Sequence, residues 1–328
     1  MRGRPFLAPL GLVALLALAP VATQSNVVLN FLIVTLIISI VAQAWNLLGG
    51  FGGQFSFGHA AFFGMGAYVS ALWQMRLGLD AWSGLAVAVA AGAALAFAIG
   101  FLAFRAGLRG SYFALVTLAF AEVFRVLTNS VDFTGGAAGL LLPLKIGAGN
   151  LQFSDRTYFY WLVLLFVAIG LLGVTAIRRS RFGAQLVALR ENEEAASALG
   201  VDVLSVKLKA MALSGAMAAA AGVLYLQYFL YIDAQVVFGS WISVEALLAS
   251  IVGGLGTVLG PVLGALALHG LGELAKALVG GVPGIDLAFY GAVLLVAIAF
   301  MPGGLIGLAK RWRAPVRARS QLPARKVA

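Results

Sequence analysis

With 12 Asp and Glu, 22 Lys and Arg, two His and no Cys in 328 residues, this chain holds few groups that could do chemistry. Each one that falls in an apolar stretch therefore needs a reason to be there. Glu122 and Arg125 lie three residues apart in an apolar run, a spacing that puts them on one helix face within reach of each other. They read either as an ion pair that orients helices or as groups beside a solute path. Glu273 and Lys276 share that spacing and read as a structural pair. Glu245 is expected near the outer end of its apolar run, where its carboxylate reaches water. The absence of cysteine excludes disulfides, thiolate metal sites and cysteine nucleophiles. His59 and His269 are far apart, so no histidine-based metal site is expected. His59 alone reads as a satisfied core histidine or as a polar group of a path. A membrane enzyme using His59 with a carboxylate would lack a second histidine, a metal cluster or a nucleophile motif beside it. No catalytic residue and no cofactor bound by this chain are expected. There is also no G-x-x-x-x-G-K-[ST] phosphate loop, so ATP chemistry would have to come from a partner.

Two glycine clusters carry a different signal. LLGGFGGQFSFGHAAFFGMGAY begins at Leu47, and IVGGLGTVLGPVLGALA begins at Ile251. Both start GG-x-G between apolar segments with almost no loop, and both predict broken helices, near 49–58 and 253–260. Irregular backbone at membrane depth survives only when it is buried in protein or lines a watery cavity. Asn46, Gly49, Gly50, Gly52, Gly53, Gln54, Ser56 and His59 around the first cluster are candidates for a translocation path. So are Gly253, Gly254 and Gly256 in the second, with Glu122 and Arg125. Half-helix N-termini ending at the first cluster would favour a solute carboxylate.

The elements that must position these groups are membrane helices. The chain is 62% hydrophobic and 10% charged, with a mean hydropathy of +1.01, whereas a soluble domain is about a quarter charged. The net charge of +10 reads as membrane topology rather than nucleic-acid binding, because the cations sit in short loops and a tail. The fold expected is all-α and polytopic, with about ten spans near 6–22, 27–48, 55–75, 82–104, 111–128, 157–177, 208–230, 243–260, 261–279 and 285–303. With the N-terminus cytoplasmic, only Arg76, Lys145 and Arg156 fall outside, and Arg125 and Lys276 fall within or near spans. The other Lys and Arg residues are all inside, so both termini are expected in the cytoplasm. Residues 1–26 form a first span with a signal-peptide-like composition, expected to be retained. Residues 27–305 form the main domain, and 306–328 a basic cytoplasmic tail. Spans two to five start outside and spans seven to ten inside, which suggests an inverted repeat. Glycine within spans, as at Gly92, Gly100, Gly260 and Gly264, is expected to let helices approach closely. The outer run Thr134–Gly139 reads as a flexible loop or as a gate.

The longest cytoplasmic loop, 178–207, holds Phe182, Leu186 and Leu189, and later Ala195, Ala198 and Leu199, at helical spacing. Gly200 can end such a helix in a left-handed conformation. Within this loop Glu194, Ala195, Ala196 and Gly200 resemble the EAA-x-x-x-G signature of bacterial ABC-importer permeases. More broadly, AWNLLGGFGGQFSFGHAAFFGMGAY, LRGSYFALVTLAFAEVFRVL, TGGAAGL, ALRENEEAASALGVDV and GGLGTVLGPVLGA resemble the branched-chain amino acid ABC-transporter permease family, specifically the larger of its two permease subunits. The resemblance spans about residues 27–305. It implies a bacterial inner-membrane permease that couples to two cytoplasmic ATP-binding subunits through Glu194, Ala195, Ala196 and Gly200. It also implies a second, homologous permease and an extracytoplasmic solute-binding protein. Branched-chain amino acids are the expected cargo, with urea or amides as an alternative. An ion-coupled secondary transporter or channel is the competing class, since an inverted repeat and intramembrane carboxylates fit it equally well.

Overall fold

The computed structural model describes residues 6–23, 25–279, 291–292 and 303–313. The chain folds as long apolar helices joined by short turns, which is how a lipid-embedded backbone satisfies its own N–H and C=O groups. The helices are α1 (Leu7–Ala17), α2 (Ala19–Ala22), α3 (Asn26–Trp45), α4 (His59–Leu77), α5 (Ala81–Arg105), α6 (Gly110–Ser130) and α7 (Arg156–Arg179). They continue as α8 (Arg181–Glu191), α9 (Glu193–Ala198), α10 (Val203–Phe229), α11 (Ala234–Val237), α12 (Ser240–Gly253), α13 (Gly260–Val279) and α14 (Gly304–Arg313). Among the described residues six helices are long and apolar enough to cross a membrane. The expected ten spans are thus matched in part: 6–22 is a shorter apolar helix pair, and 285–303 lies almost wholly outside the described residues.

The core is built on α10, which packs along α5, α4 and α3, while α12 and α13 close around α3. Glycine sets the spacing where α5 crosses α10. A Cβ on Gly92 would come within 3.0 Å of the Gly215 carbonyl oxygen, and one on Gly100 within 3.0 Å of Met211 Cγ. The first segment lies on α7, where the Tyr160 hydroxyl donates to the Leu16 carbonyl at 2.6 Å.

The two ends of the bundle are built differently. The basic end gathers Arg105, Arg109, Arg178, Arg179 and Arg181 with α8, α9 and the start of α10. At the opposite end a two-stranded ribbon pairs β1 (Leu140–Leu141) with β2 (Tyr231–Ile232) in antiparallel register, Leu140 facing Ile232. Residues 134–139 are ordered into this ribbon by two 3-10 turns, and the Thr134 hydroxyl donates to the Thr128 carbonyl at 2.6 Å. Asp80 caps α5 at this end by accepting from the Ser83 N–H at 2.8 Å. That backbone bond, with a second from the Ser83 hydroxyl, holds the Asp80 carboxyl below its usual range.

A candidate coupling centre where two helix breaks meet

Both predicted glycine breaks are present. α3 does not end cleanly. Its last turn widens into a π-helix over Asn46–Phe51, all six residues buried, and irregular chain then leads to α4. A π-turn is rare and marks a place where the regular ladder is interrupted. The second break, residues 254–259, separates α12 from α13, and Pro261 then sits in the first turn of α13, where its missing N–H costs nothing.

The breaks are locked together. Asn46 Nδ2 donates to the Thr257 carbonyl at 2.9 Å, and the Gly256 N–H donates to Asn46 Oδ1 at 2.8 Å. One buried amide thus reads a dipeptide 210 residues away as if it were a strand. No side chain fits between: a Cβ on Gly50 would lie 2.7 Å from the Gly256 nitrogen. α3 and α12 both run into their breaks at the basic end, so the two clusters are partners in one joint.

Several expected path residues are therefore committed to the protein itself. Asn46 has both amide atoms occupied. His59 is fully buried, with Nε2 2.7 Å from Ser214 Oγ, and the Ser214 hydroxyl donates to the Ala44 carbonyl at 2.7 Å. The hydroxyl proton being committed, the imidazole donates from Nε2. Ser56 is buried; its carbonyl accepts from Trp45 Nε1 at 2.7 Å and its hydroxyl oxygen from the Gly58 N–H at 3.0 Å. The N-terminus of α4 is likewise occupied: the Ala60 N–H donates to Ser243 Oγ of α12 at 2.9 Å, so it is not an open carboxylate site. Gly49, Gly50 and Gly52 are buried, Gly53 and Gln54 half-buried, and Phe55 exposed. Gly253 and Gly254 lie against Gly260 and Gly304 respectively.

Glu122 and Arg125 do pair, Arg125 Nε donating to Glu122 Oε2 at 2.9 Å, and Arg125 also contacts Gln235 of α11. Glu122 remains 55% exposed, on a face of α6 that also carries Tyr112, Leu115, Val123 and Val126. Glu273 and Lys276 pair at 3.2 Å as expected. Glu245 differs from expectation. It does not reach water but is buried, with Oε1 2.8 Å from His269 Nε2, while the Thr35 hydroxyl is 3.1 Å from Nδ1 of the same ring. The reason is that α12 presents this face to α3 and α13 rather than outward.

The basic loop folds as two short helices with opposite fates. α8 is inward: Leu186 and Leu189 are buried and Phe182 half-buried, as their spacing predicts. α9 is rooted by Glu193, whose carboxylate pairs with the buried Lys207 at 2.7 Å and with Arg109 at 3.4 Å. Asn192 caps it, accepting from the Ala195 N–H at 2.9 Å. Most of the apolar positions at helical spacing here point to solvent. Ala195 and Ala198 are exposed and Leu199 is 85% exposed, while Ala196 alone is buried. Glu194 is exposed beside them and lines, with Arg109 and Ser197, a shallow groove of about 490 Å³. Gly200 follows at φ +84°, the left-handed stop that its position suggests. Sequence reading missed Glu193 and Lys207, which root α9, and Arg190, whose Nη1 donates to the Gly50 carbonyl at 3.0 Å. Their only sequence signal is a charge beside an amphipathic helix.

A family described as "Branched-chain amino acid transport system / permease component" matches residues 27–298. The chain is 30% identical to the high-affinity branched-chain amino acid transport system permease protein LivM of Escherichia coli, over 91% of this chain and 75% of that one. It is 27% identical to the corresponding LivH permease of Salmonella typhimurium, covering 82% of this chain and 91% of that one. A probable LivM permease from Methanocaldococcus jannaschii is 28% identical, with 68% of each chain covered. No solved structure matches.

Proposed function

The chain belongs to the branched-chain amino acid transport permease family, and from that premise we propose that it forms half of the membrane path of an ATP-driven importer. Its cargo is a branched-chain or related amino acid. A second, homologous permease supplies the other half, an extracytoplasmic binding protein delivers the solute, and two cytoplasmic ATP-binding subunits drive the cycle. Nucleotide and Mg²⁺ bind to those subunits, not to this chain. The basic end faces the cytoplasm of a bacterium, with both termini on that side.

The observation that carries this reading is α9. Its base is fixed by Glu193, Lys207 and Arg109, and its tip offers Glu194, Ala195, Ala198 and Leu199 to solvent. A leucine 85% exposed at the charged end of a membrane protein is suited to burial in a groove of a partner. The path itself follows the exposed face of α6. A half-exposed carboxylate on a span costs about 2.5–3.5 kcal/mol against lipid on insertion scales, so Glu122 and Arg125 face water or the second permease. Gln54 and Gly53, half-buried at the first break, lie toward its cytoplasmic exit.

Co-purification of the tagged chain from native membranes tests the reading, beside a Glu194→Arg, Gly200→Asp double variant. The native chain should bring down an ATP-binding subunit and a second permease, and the folded double variant should lose the ATP-binding subunit. A native chain that purifies alone in mild detergent, and still moves solute in vesicles without ATP, would instead be an ion-coupled transporter or channel.

A further inference from the structure

The end of α3 leaves backbone carbonyls that no helical N–H can reach, and these carry the negative end of the helix dipole. Two are satisfied locally, Leu48 by the Gln54 N–H and Gly49 by the Gly53 N–H, each at 3.1 Å. The next, Gly50, is capped from another part of the chain by Arg190 Nη1 at 3.0 Å. Arg190 closes α8, one helix from the exposed tip of α9. Its stem lies on Gly53, where an added Cβ would come within 2.9 Å of Arg190 Cγ, and its Nη1 would be 2.9 Å from a Cβ on Gly256. Nε and Nη2 are steered by Glu191 Oε1, at 3.1 and 2.6 Å. One guanidinium therefore binds Glu191 at the end of α8, caps the first break at Gly50 and lies against Gly256 of the second. Beyond it, Asn46 carries the connection to Thr257.

We infer that Arg190 is the positioning residue that passes displacement of α9 to both helix breaks, and through them to the packing of α3 and α4 against α12 and α13. This rests on the proposed coupling of α9 to an ATP-binding subunit. The physical case is that α8 and the breaks meet through side chains seated on glycines, with no cushion of flexible chain between them. Leu186 on the same helix lies 3.4 Å from a Cβ built on Gly52. A shift of α8 must move the carbonyl end of α3 or break the Arg190 contact. Physical coupling requires a two-state element that both sites bias, and the exchange measurement below looks for it in the two breaks.

The test uses the full transporter in liposomes and reads ATP hydrolysis, solute uptake and amide hydrogen exchange of residues 46–53 and 254–259. In the native complex, nucleotide should alter exchange in both breaks. Arg190→Gln should leave assembly and hydrolysis near the native level, abolish the exchange response, and lower uptake per ATP by about tenfold, a typical coupling factor. Arg190→Lys, which retains a cation able to reach one carbonyl, should recover part of the uptake. Uptake and hydrolysis that fall in parallel, loss of assembly by both variants, or a nucleotide response that survives in Arg190→Gln would each overturn the inference. A native complex that needs no ATP for uptake would instead overturn the functional reading beneath it.

Discussion

At the basic end, Asn46 and Arg190 commit their polar atoms to backbone from distant segments and to one neighbouring carboxylate. In the second half of α6, Glu122 and Arg125 bind each other and Gln235 on a face left largely open. Both regions place polar groups in an apolar chain, yet only the first is self-sufficient. A buried polar atom costs most when its partner is lost, so the Asn46 joint is a part of this chain's own frame. A half-exposed ion pair gains little by itself in water and is costly against lipid. On the proposed reading, the α6 pair has its surroundings completed by water or by a second permease.

Substitutions should separate the two regions by what they damage. Asn46→Leu removes both links to the second break and orphans the Gly256 N–H and the Thr257 carbonyl. It should cost about 2 kcal/mol or more, from the lower end of roughly 1–3 kcal/mol for each of the two half-buried groups left unpaired, read as a large drop in the unfolding midpoint of the detergent-solubilised chain. Glu122→Ala should change that midpoint little, by less than about 1 kcal/mol as for other exposed pairs, while cutting uptake by the assembled transporter severely. Equal damage to stability from both substitutions would remove the distinction drawn here. The smallest effect belongs to the end opposite the joint. The folded Asp80 carboxyl titrates below its ordinary value because Ser83 donates to its charged form. Its contribution is thus present above that value and is lost as pH falls through the lower folded pKa. Near neutral pH the stability should be flat with respect to this group, and Asp80→Asn should remove only the acid-side component of the pH profile.

Much of this was readable from local pattern. Apolar run length located the helices, since a span is set by length and composition. The GG-x-G clusters located both breaks, and Gly200 the end of α9, because a glycine there serves the backbone of its own turn. What pattern could not supply was partnership across the chain. Asn46 and Thr257 are 211 residues apart, and nothing in either neighbourhood names the other. Glu245 was expected in water because its position along the sequence was near a span end. Which way it faces is set by the packing of α12 on α13, and so is its meeting with His269. The alanines of α9 show the same limit. Helical spacing finds an apolar face but cannot say whether this chain or another protein buries it. Here Ala196 turns inward and Ala195, Ala198 and Leu199 do not.

The central claim is that the tip of α9 is the seat of an ATP-binding subunit. Because the chain has no cysteine, one introduced thiol is unique. Ala198→Cys on α9 and Gly149→Cys at the opposite end are both exposed positions, and each can be treated in native membranes with a short maleimide carrying a diazirine, which on illumination inserts into bonds of whatever protein lies beside it. The account predicts an adduct between the chain and an ATP-binding subunit from Ala198→Cys and none from Gly149→Cys. An intact complex that yields no such adduct from Ala198→Cys, or yields it from Gly149→Cys, would contradict it.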